Sequence, residues 1–528
     1  MRHHADTPVS GSGAHAARPN EAARTASGPA TDSLSEAQQL VAAAARALGH
    51  DPLARSLLSD CADRLRQPLR VALAGSIKAG KSTLLNALVG QSIAPTDATE
   101  CTRVVTWYRT GATPMVTAYA ATGASANVVV RRGAGSHGLT FEMNSLRWNP
   151  AGDHTVDHLE VRWPTAELSR TTIIDTPGTS SLSRDVSERT MRLLTPADVD
   201  ADAVTIPGAD AVVYLLRRLD ATDVHFLEQL GAGGQAGHLG VVGVVSRADE
   251  ISAGRIDALE SARDVASRFA TELERTGLCQ AVIPVAGLLA FAAATLTQPE
   301  FAAFAALAAL PPETLELAML SADRFSRPDI DLPVSPLTRA QLLDRFGMFG
   351  VRMATELVRT GVRDAATLSA ELTARSGIDD LRTVLDVQFG QRADQLKAHS
   401  ALTTLDRVIT AHPGTAADQL LPRIRTLLAD VHGFAELRLL GRLRTDDLPL
   451  PPDDRAELFR LIGGAGVAPH VRLGLPADSD PETLRTHAIA AAHKWHTRSR
   501  HPLIDKATVT ACLTAVRSAE GALTQLPG

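Results

Sequence analysis

The segment from Gly75 to Ser82 constrains the fold of this 528-residue chain more than any other. It reads Gly-Ser-Ile-Lys-Ala-Gly-Lys-Ser and fills all four fixed positions of GxxxxGK[ST]. The apolar run LRVALAG leads into it, and the amphipathic run STLLNALVG follows. A strand, a glycine-rich turn and a helix in this order form a loop whose backbone N–H groups face phosphate oxygens. The pattern predicts an α/β domain that binds a nucleoside triphosphate.

The positions of this loop have distinct expected roles. Lys81 is expected to neutralise the β- and γ-phosphates, and the Ser82 hydroxyl is expected to ligate Mg²⁺. Glycines allow the backbone to curl around the phosphates. The positions expected to contact the nucleotide are Gly75, Ser76, Lys78, Ala79, Gly80, Lys81, Ser82 and Thr83.

A second motif, Asp175-Thr-Pro-Gly178, ends the apolar run TTIID. A strand that ends in Asp downstream of a phosphate loop is typical of nucleotide hydrolases, where the Asp holds Mg²⁺ through water. Gly178 is expected to direct its N–H at the γ-phosphate. Ser82 and Asp175 are therefore predicted metal-site residues.

A third motif, Ser246-Arg-Ala-Asp249, follows the apolar run GVVGVV and predicts a base-binding loop. It is close to [NT]KxD, in which the Asp carboxylate pairs with the N1–H and 2-amino group of guanine, a donor pair that adenine lacks. Arg247 replaces Lys and can stack its planar guanidinium over the base. After the run AVIPV, Ala286 and Gly287 are expected to lie near the guanine O6. GTP or GDP is the expected ligand.

Apolar runs alternate with helical patterns up to about residue 300, which predicts a mainly parallel sheet. The strand-like runs are 69–75, 103–109, 115–120, 127–132, 158–163, 171–175, 210–216, 240–246 and 281–285. Helices are predicted over 34–67 with a break near 49–52, and over 313–326, 336–360, 362–375, 377–411, 415–442, 452–462, 482–500 and 505–525. The predicted fold is an α/β P-loop domain with an expanded, mainly parallel sheet and an elongated all-α trunk.

These patterns divide the chain into four predicted parts. Residues 1–32 form a disordered tail without the apolar core of a signal peptide. Residues 33–66 form N-terminal helices that pack on the trunk, residues 67–375 the nucleotide-binding domain, and residues 376–528 the trunk.

Composition excludes several classes of protein. The net charge of −6 is close to neutral for this length and argues against a nucleic-acid partner. The four cysteines form no CxxC pair, which indicates a reduced cytosolic protein without a zinc ribbon. The uncharged stretch 276–299 contains Pro and Gly, and it predicts a buried strand and an Ala-rich core helix in place of a membrane span.

The run KSTLLNALVGQSIAPTDATECTRVVTWYR resembles the P-loop helix and switch I of dynamin-like GTPases. By that resemblance Thr102 is the switch I threonine that closes on Mg²⁺, with Thr99 and Thr96 as alternatives. The segment SGIDDLRTVLDVQFGQRADQLKAHSALTTL, residues 376–405, resembles the passage of the dynamin GTPase domain into its helical stalk. Residues 65–525 as a whole are similar to the isoniazid-inducible dynamin-like proteins of mycobacteria.

This resemblance implies a dynamin-type GTPase domain over 67–375 and a trunk that works at the inner face of the cytoplasmic membrane. It implies GTP hydrolysis with Mg²⁺, a dimer of GTPase domains or a related dynamin-like subunit as partner, and peripheral contact with anionic lipid. An alternative is a GTP-switch protein that partners another dynamin-like subunit without deforming the membrane itself.

Two positions depart from related GTPases. Thr179 stands where Ras-type GTPases carry a water-orienting Gln. Lys78 stands where dynamins carry a Ser that helps to hold a charge-compensating cation. We hypothesise that the Lys78 ammonium replaces that cation, the alternative being a solvated lysine. Lys81, Thr102 and Lys78 are thus the predicted catalytic residues.

Three segments of the trunk and the preceding helices are candidates for lipid contact. The basic segment 482–501 could lie on anionic lipid, or it could be a stalk helix with Trp495 packed inside. The loop 463–476 and the Ala-rich run 301–310 are the other two candidates.

Overall fold

The computed structural model describes residues 29–96, 104–132, 139–144, 146–178, 208–231, 240–275, 279, 281–445 and 448–526. The strands are β1 (Leu69–Gly75), β2 (Val105–Thr110), β3 (Met115–Tyr119), β4 (Ser125–Asn127), β5 (Val129–Arg132), β6 (Leu139–Glu142), β7 (His158–Trp163), β8 (Thr171–Asp175), β9 (Ala211–Leu216), β10 (Val241–Ser246) and β11 (Ala281–Val285).

Helices precede the sheet, connect its strands and form the second half of the chain. The first half contains Pro29–Ala47, Pro52–Arg66, Lys81–Val89, Glu167–Arg170, Ala221–Gly231, Ala258–Arg275 and the 3₁₀ turn Ala248–Gly254. After β11 follow Gly287–Ala294, Gln298–Ala308, Pro312–Ala318, Ala322–Ser326, Pro336–Arg359, Ala365–Ala374, Ile378–Gln388, Ala393–Ala411, Thr415–Asp430, His432–Thr445, Pro452–Leu461, Pro469–Leu473, Pro481–Ser499 and Lys506–Thr524, with a short 3₁₀ turn at Gly390–Arg392.

Among the described residues, nine strands form one sheet in the order β11-β10-β9-β1-β8-β2-β7-β3-β4. The five strands from β11 to β8 are parallel, β2 is antiparallel to β8, and β3 is antiparallel to β7 and β4. The predicted fold class is confirmed: a mainly parallel, expanded sheet with helices, followed by an all-helical region. The carboxyl ends of β1, β8, β9 and β10 meet at one edge, as parallel pairing requires.

Three of the predicted helices are broken in the structure. The helix predicted over 313–326 forms two short helices, Pro312–Ala318 and Ala322–Ser326. The helix predicted over 377–411 ends at Gln388, and Phe389 turns into the core, where it is buried. Phe389 packs on Gly240, since a Cβ there would lie 2.0 Å from the phenylalanine ring. The helix predicted over 415–442 breaks at Val431. The strand predicted over 127–132 is divided into β4 and β5, and β6 was not predicted because it has only four residues.

The N-terminal helices lie against the long helix Ala393–Ala411. Asp51 caps the second of them by accepting hydrogen bonds from the N–H groups of Leu53 and Ala54. The His412 Nε2 atom lies 3.1 Å from the same carboxylate, so this cap is also a contact with the trunk. The first helix begins at Pro29, within the predicted tail, whose residues 1–28 lie outside the described residues.

The uncharged stretch before residue 310 forms β11 and two helices, Gly287–Ala294 and Gln298–Ala308. Among the described residues, no single helix has the length and hydropathy that a membrane crossing requires. These two helices reach that length and hydropathy only as a pair, and their axes meet at 112°. Phe301, Phe304 and Leu307 are buried, so the run 301–310 has its large side chains in the core.

Candidate nucleotide-binding site

The phosphate loop leaves β1 in a conformation that glycine makes possible. Gly75 and Gly80 have φ values of 140° and 92°, and the intervening Lys78 is also left-handed, with φ of 61°. A Cβ at Gly75 would lie 2.5 Å from the carbonyl oxygen of Leu215 on β9. The loop therefore depends on glycine both for its curvature and for its close approach to the neighbouring strand.

Lys81 lies across this loop and is held by it. Its Nζ atom donates to the carbonyl oxygens of Gly75 at 3.0 Å and Ser76 at 3.1 Å. Burial lowers the pKa of Lys81, and the nearby Asp175 carboxylate opposes that effect. The ammonium group is thus positioned at the mouth of the loop, where the phosphates of a nucleotide would lie.

Ser82 and Asp175 meet at the carboxyl ends of β1 and β8. The Ser82 hydroxyl donates to Asp175 Oδ2 at 2.7 Å. Asp175 Oδ1 is buried and has no hydrogen-bond partner among the described residues. Burial raises the pKa of Asp175, while Lys81 and Ser82 oppose that effect. A hydroxyl and a carboxylate with one unsatisfied buried oxygen form a donor set that suits Mg²⁺, which prefers oxygen ligands.

The second motif packs directly on the phosphate loop. A Cβ at Gly178 would lie 2.5 Å from Ile77 Cγ1 and 2.9 Å from the Ile77 nitrogen, so only glycine fits there. Thr176 anchors the motif, because its N–H and hydroxyl both donate to the Leu73 carbonyl. Gly178 is therefore close enough to the loop to serve the same phosphates.

Of the three threonines considered for switch I, only Thr96 lies within the described residues. Thr102 and Thr99 lie outside the described residues, as does Thr179. Thr96 is exposed at the last described position before that gap. Asn86 of the helix Lys81–Val89 holds the chain just before it, by accepting from the N–H groups of Ile93 and Ala94.

A pocket lies beside the phosphate loop, where the third motif meets the start of the helix Gly287–Ala294. It is lined by Ala79, Gly80, Thr83, Leu84, Leu215, Val244, Ser246, Arg247, Asp249, Glu250, Val285, Gly287 and Leu288. The structure thus brings the loop, the SRAD motif and Gly287 to one cavity.

Asp249 is a buried carboxylate in the wall of this pocket, with 7% of its surface exposed. Burial raises its pKa to about 6; its own backbone N–H and Arg247 act in the opposite direction, and Glu250 adds to the rise. Above that pH the carboxylate is ionised and largely shielded from water, and its hydrogen bonds from paired N–H donors are strong. This is the chemistry that guanine recognition requires.

Arg247 stands at the rim of the pocket with a left-handed φ of 54°. Its Nη1 atom lies 2.6 Å from Glu250 Oε1, and Arg217 reaches the other oxygen of Glu250 at 3.5 Å. Ser246 is buried, and its hydroxyl donates to the Leu216 carbonyl at 3.2 Å, so it secures the strand end. Glu250 and Arg217 were not predicted, although Glu250 stands three residues after Arg247, a spacing that often pairs charges.

Ala286 and Gly287 occupy different positions relative to the pocket. The Ala286 N–H donates to the Ser376 carbonyl at 2.8 Å, so this donor is engaged by the chain itself. Gly287 begins its helix and lines the pocket. Of the two positions predicted near the guanine O6, Gly287 is the one with an available backbone face.

The basic segment 482–501 is neutralised within the chain to a large extent. Lys494 Nζ lies 2.7 Å from Asp454 Oδ1 and 2.6 Å from Glu457 Oε2, and Arg498 pairs with Asp454. Trp495 is fully buried, and its Nε1 donates to Glu457 at 3.0 Å. The structure favours the stalk-helix interpretation of this segment.

The glycine loop that follows residue 462 is also internal. Gly463 and Gly464 are buried, and Arg392 donates to the carbonyl oxygens of Ile462 and Gly463 at 2.7 Å each. A Cβ at Gly464 would lie 2.4 Å from the Phe459 ring. This part of the predicted lipid loop packs inside the trunk.

Sequence comparison agrees with the site. A model of the dynamin family matches residues 71–200, which contain the phosphate loop and the DTPG motif. Two curated proteins from two strains of Mycobacterium tuberculosis, both called isoniazid-induced protein IniC, are 53% identical over 460 residues. The match covers 87% of this chain and 90% of each relative.

Among solved structures, a chain of an oligomerised bacterial dynamin pair, described in terms of long-range sensing and tethering of membranes, aligns with 94% of this chain and 73% of its own. Its identity is 12% and its TM-score 0.29. The bacterial dynamin GTPase LeoA from ETEC aligns with 93% of this chain and 71% of its own at 12% identity and a TM-score of 0.23. The TM-scores of these two alignments are too low to establish a relationship. The sequence identity to the IniC proteins over most of both chains does establish one, and it confirms the resemblance seen in the motifs: the chain belongs to the dynamin-like GTPase family.

Proposed function

We propose that this protein hydrolyses GTP to GDP and phosphate and that it acts at the inner face of the cytoplasmic membrane. The observation that carries the first part is the contact between Ser82 and Asp175 beside the buried Lys81. It joins two chemical roles that a nucleotide hydrolase needs, a cation for the phosphates and oxygen ligands for a metal, at one edge of the sheet.

In this proposal Ser82 and Asp175 hold Mg²⁺, together with Thr102 from the segment outside the described residues. The metal, when bound, neutralises charge on the β- and γ-phosphate oxygens. Lys81 binds the same phosphates, and the backbone from Gly75 to Gly80 surrounds them. Gly178 and Thr83 complete the phosphate contacts.

The base is assigned to the pocket lined by Asp249 and Arg247. Asp249 accepts from the N1–H and 2-amino group of guanine, and Arg247, braced by Glu250, stacks over the ring. Gly287 offers backbone to the O6 side. The nucleotide is therefore GTP or GDP in preference to ATP or ADP.

Lys78 remains the proposed replacement for a charge-compensating cation. It is exposed in a left-handed turn of the loop, so its side chain is free to reach a phosphate here or across a dimer of GTPase domains. GTP turnover by Lys78→Ala should fall and should become responsive to potassium. Turnover equal to that of the wild-type protein, with and without potassium, would remove Lys78 from the mechanism.

Membrane contact is assigned to the turn between the last two long helices. Leu503 is 86% exposed there, and Arg500, His501 and Lys506 flank it. Arg500 and Lys506 are basic, and the carboxylate of Asp505 in the same turn caps the last helix. An exposed apolar side chain beside basic groups suits the surface of anionic lipid. We also propose that the chain divides into N-terminal helices (residues 33–66), a GTPase domain (residues 67–375) and a helical trunk (residues 376–528).

A second function has one observation in its favour. Lys494 and Arg498, half of the basic residues of the segment 482–501, are neutralised by Asp454 and Glu457. A weaker basic face suits a GTP-switch protein that pairs with a related dynamin-like subunit and does not itself deform membrane. Nucleotide-dependent capture of such a subunit without binding to liposomes would favour this function.

The deciding experiment measures GTP turnover with and without anionic liposomes. We expect turnover by the wild-type protein and a loss of about 10²- to 10³-fold in Lys81→Ala. Lys397→Ala, which removes a lysine of the trunk, is the matched control. No turnover in any condition would contradict the enzymatic proposal, and turnover without binding to liposomes in any nucleotide state would contradict the membrane proposal.

A further inference from the structure

The helix Pro336–Arg359, called the kinked helix below, contains one residue with a non-helical backbone. Gly347 has φ of 64° and ψ of 172°. Residues with a side chain rarely adopt this conformation. A kink at this position therefore requires glycine and fixes the direction in which the second half of the helix runs.

The kink contacts the wall of the base pocket. A Cβ at Gly347 would lie 3.4 Å from Asp249 Oδ2 and 4.0 Å from Leu288 Cδ2, and both residues line the pocket. The kinked helix also packs on the 3₁₀ turn Ala248–Gly254 and on the helix Gly287–Ala294. It therefore covers the face of Asp249 that points away from the base.

The kink is held in place by anchors on both sides. Arg345 is buried and pairs with Glu300 at 2.6 Å, and it also donates to the Thr295 carbonyl at 3.0 Å. Phe346 and Phe349 are buried, and Phe346 packs edge-on against Phe304. With both flanks fixed, the backbone at residue 347 cannot retreat from Asp249 without disrupting the core.

We propose that Gly347 is a specificity-determining residue for guanine, which positions the Asp249 carboxylate by closing the outer wall of the base pocket. This inference rests on the proposed GTPase function and deepens it. Gly347 does not touch the nucleotide. It acts by holding the kinked backbone, which a residue with a side chain would strain, against the outer face of the Asp249 carboxylate.

The test compares affinities for GDP and ADP in Gly347→Ala. The alanine strains the kink and moves the wall, so the contact of Asp249 with the guanine donors is weakened. We expect GDP affinity to fall about tenfold, the worth of one hydrogen bond to a charged group, while ADP affinity changes by less than about twofold. ADP reports the phosphate and ribose contacts, which a displaced Asp249 does not alter.

Gly361→Ala is the matched control. Gly361 also has a positive φ, 129°, just beyond the end of the same helix, but a Cβ there would meet nothing within 4 Å. It should retain the GDP-to-ADP ratio of the wild-type protein. In an Asp249→Ala background, Gly347→Ala should cause no further loss of GDP affinity, because the group that it positions is gone.

Hydrogen exchange on the wild-type protein provides a test that does not depend on a variant that folds. GDP should protect amides around Gly347, and pyrophosphate alone should not. An unchanged GDP-to-ADP ratio in a folded Gly347→Ala protein, or equal protection by GDP and pyrophosphate, would overturn the inference and leave the GTPase proposal standing. Failure of the wild-type protein to bind GDP would instead overturn the GTPase proposal.

Discussion

The backbone N–H of Ala286 donates a hydrogen bond to the carbonyl oxygen of Ser376 at 2.8 Å. Ala286 follows the last strand of the sheet, at the base pocket, and Ser376 stands two residues before the helix Ile378–Gln388. The loop after the last strand, beside the base pocket, is thus bonded to the chain just before the helix Ile378–Gln388.

Gly377 makes this bond possible, and its replacement should break it. Gly377 has φ of 77°, and a Cβ there would lie 2.2 Å from the Pro284 carbonyl oxygen. We expect Gly377→Ala to lower the free energy of unfolding by about 1–3 kcal/mol and to weaken GDP binding, because the loop at Ala286 loses its support. Thermal unfolding and a fluorescent GDP titration measure the two effects.

Gly414→Ala is the control for that experiment. Gly414 also has a positive φ, 148°, but a Cβ there would meet nothing within 4 Å. It should leave GDP affinity unchanged. If Gly377→Ala folds and binds GDP as the wild-type protein does, the loop at Ala286 does not depend on its contact with Ser376.

The ionisation of Asp249 should make guanine binding depend on pH. Its pKa is raised to about 6 by burial, with a further contribution from Glu250 that Arg247 opposes. Protonation removes the acceptor that guanine needs, so GDP affinity should fall as the pH decreases through about 6. Because a nucleotide phosphate also titrates near pH 6, Asp249→Asn is the necessary control. An identical pH dependence in both proteins would contradict the assignment of Asp249.

The same group should affect the stability of the protein without nucleotide. Since the pKa is higher in the folded protein than the ordinary value of 3.8, stability falls as the pH rises from about 4 to about 6, by up to about 3 kcal/mol. Asp249→Asn should therefore be more stable than the wild-type protein at pH 8, and the difference should shrink at pH 5. Chemical unfolding at the two pH values measures this.

A buried ion pair in the trunk should be essential to its stability. Glu436 and Arg472 are both buried, and Arg472 Nη2 lies 3.1 Å from Glu436 Oε2. Burial alone would raise the pKa of Glu436, but the hydrogen bond from His432 and the charge of Arg472 outweigh it and lower the pKa to about 2. Glu436→Gln leaves Arg472 buried without a counter-ion and should cost about 3–5 kcal/mol in urea unfolding.

The exposed pair Glu482–Arg485 is the reference for this measurement. Glu482→Gln should change the free energy of unfolding by less than about 1 kcal/mol, because exposed pairs contribute little. Equal effects of the two substitutions would show that the buried pair contributes no more than a surface pair.

Leu503 should contribute to liposome binding. Leu503→Asp replaces the exposed apolar side chain with a carboxylate, which an anionic surface repels, and it should weaken cosedimentation with anionic liposomes about tenfold. Leu337→Asp alters a leucine that is 70% exposed at the start of the kinked helix and serves as the control. The membrane contact lies elsewhere if the two variants cosediment equally and both unfold at the wild-type temperature.

The sequence predicts those parts of the fold that depend on local patterns. Strands such as β8, β10 and β11 were predicted because they are runs of apolar residues, and the phosphate loop was predicted because its glycines and Lys81 stand at fixed spacing. The break at Phe389 was not predicted, because it depends on Gly240, which is remote in sequence and stands just before β10. The kink at Gly347 was missed for the same reason, since Asp249 is remote in sequence.

The base pocket shows the same division. Arg247 and Asp249 were predicted from their motif, whereas the contact of Glu250 with Arg217 requires the ends of β9 and β10 to be adjacent. The hydrogen bond from the Ala286 N–H to the Ser376 carbonyl was not predicted. A sequence motif can assign a loop to a nucleotide, but it does not show which of the loop's N–H groups already donate to the chain itself. Pairing of Lys494 with Asp454 likewise depends on two helices that no local pattern brings together.

Arg382 connects the helix that follows the phosphate loop to the helix Ile378–Gln388. Its guanidinium donates to the carbonyl oxygens of Ala87 and Leu88, at the carboxyl end of the helix Lys81–Val89, whose amino end carries Lys81 and Ser82. That helix is about 13 Å long. Its amino end continues from the phosphate loop, and its carboxyl end is hydrogen-bonded to Arg382 of the helix Ile378–Gln388. We expect the helix Lys81–Val89 to move as a rigid unit. A change at the phosphate loop, such as loss of a phosphate, would then shift the helix Ile378–Gln388, and a displacement of that helix would shift the phosphate loop.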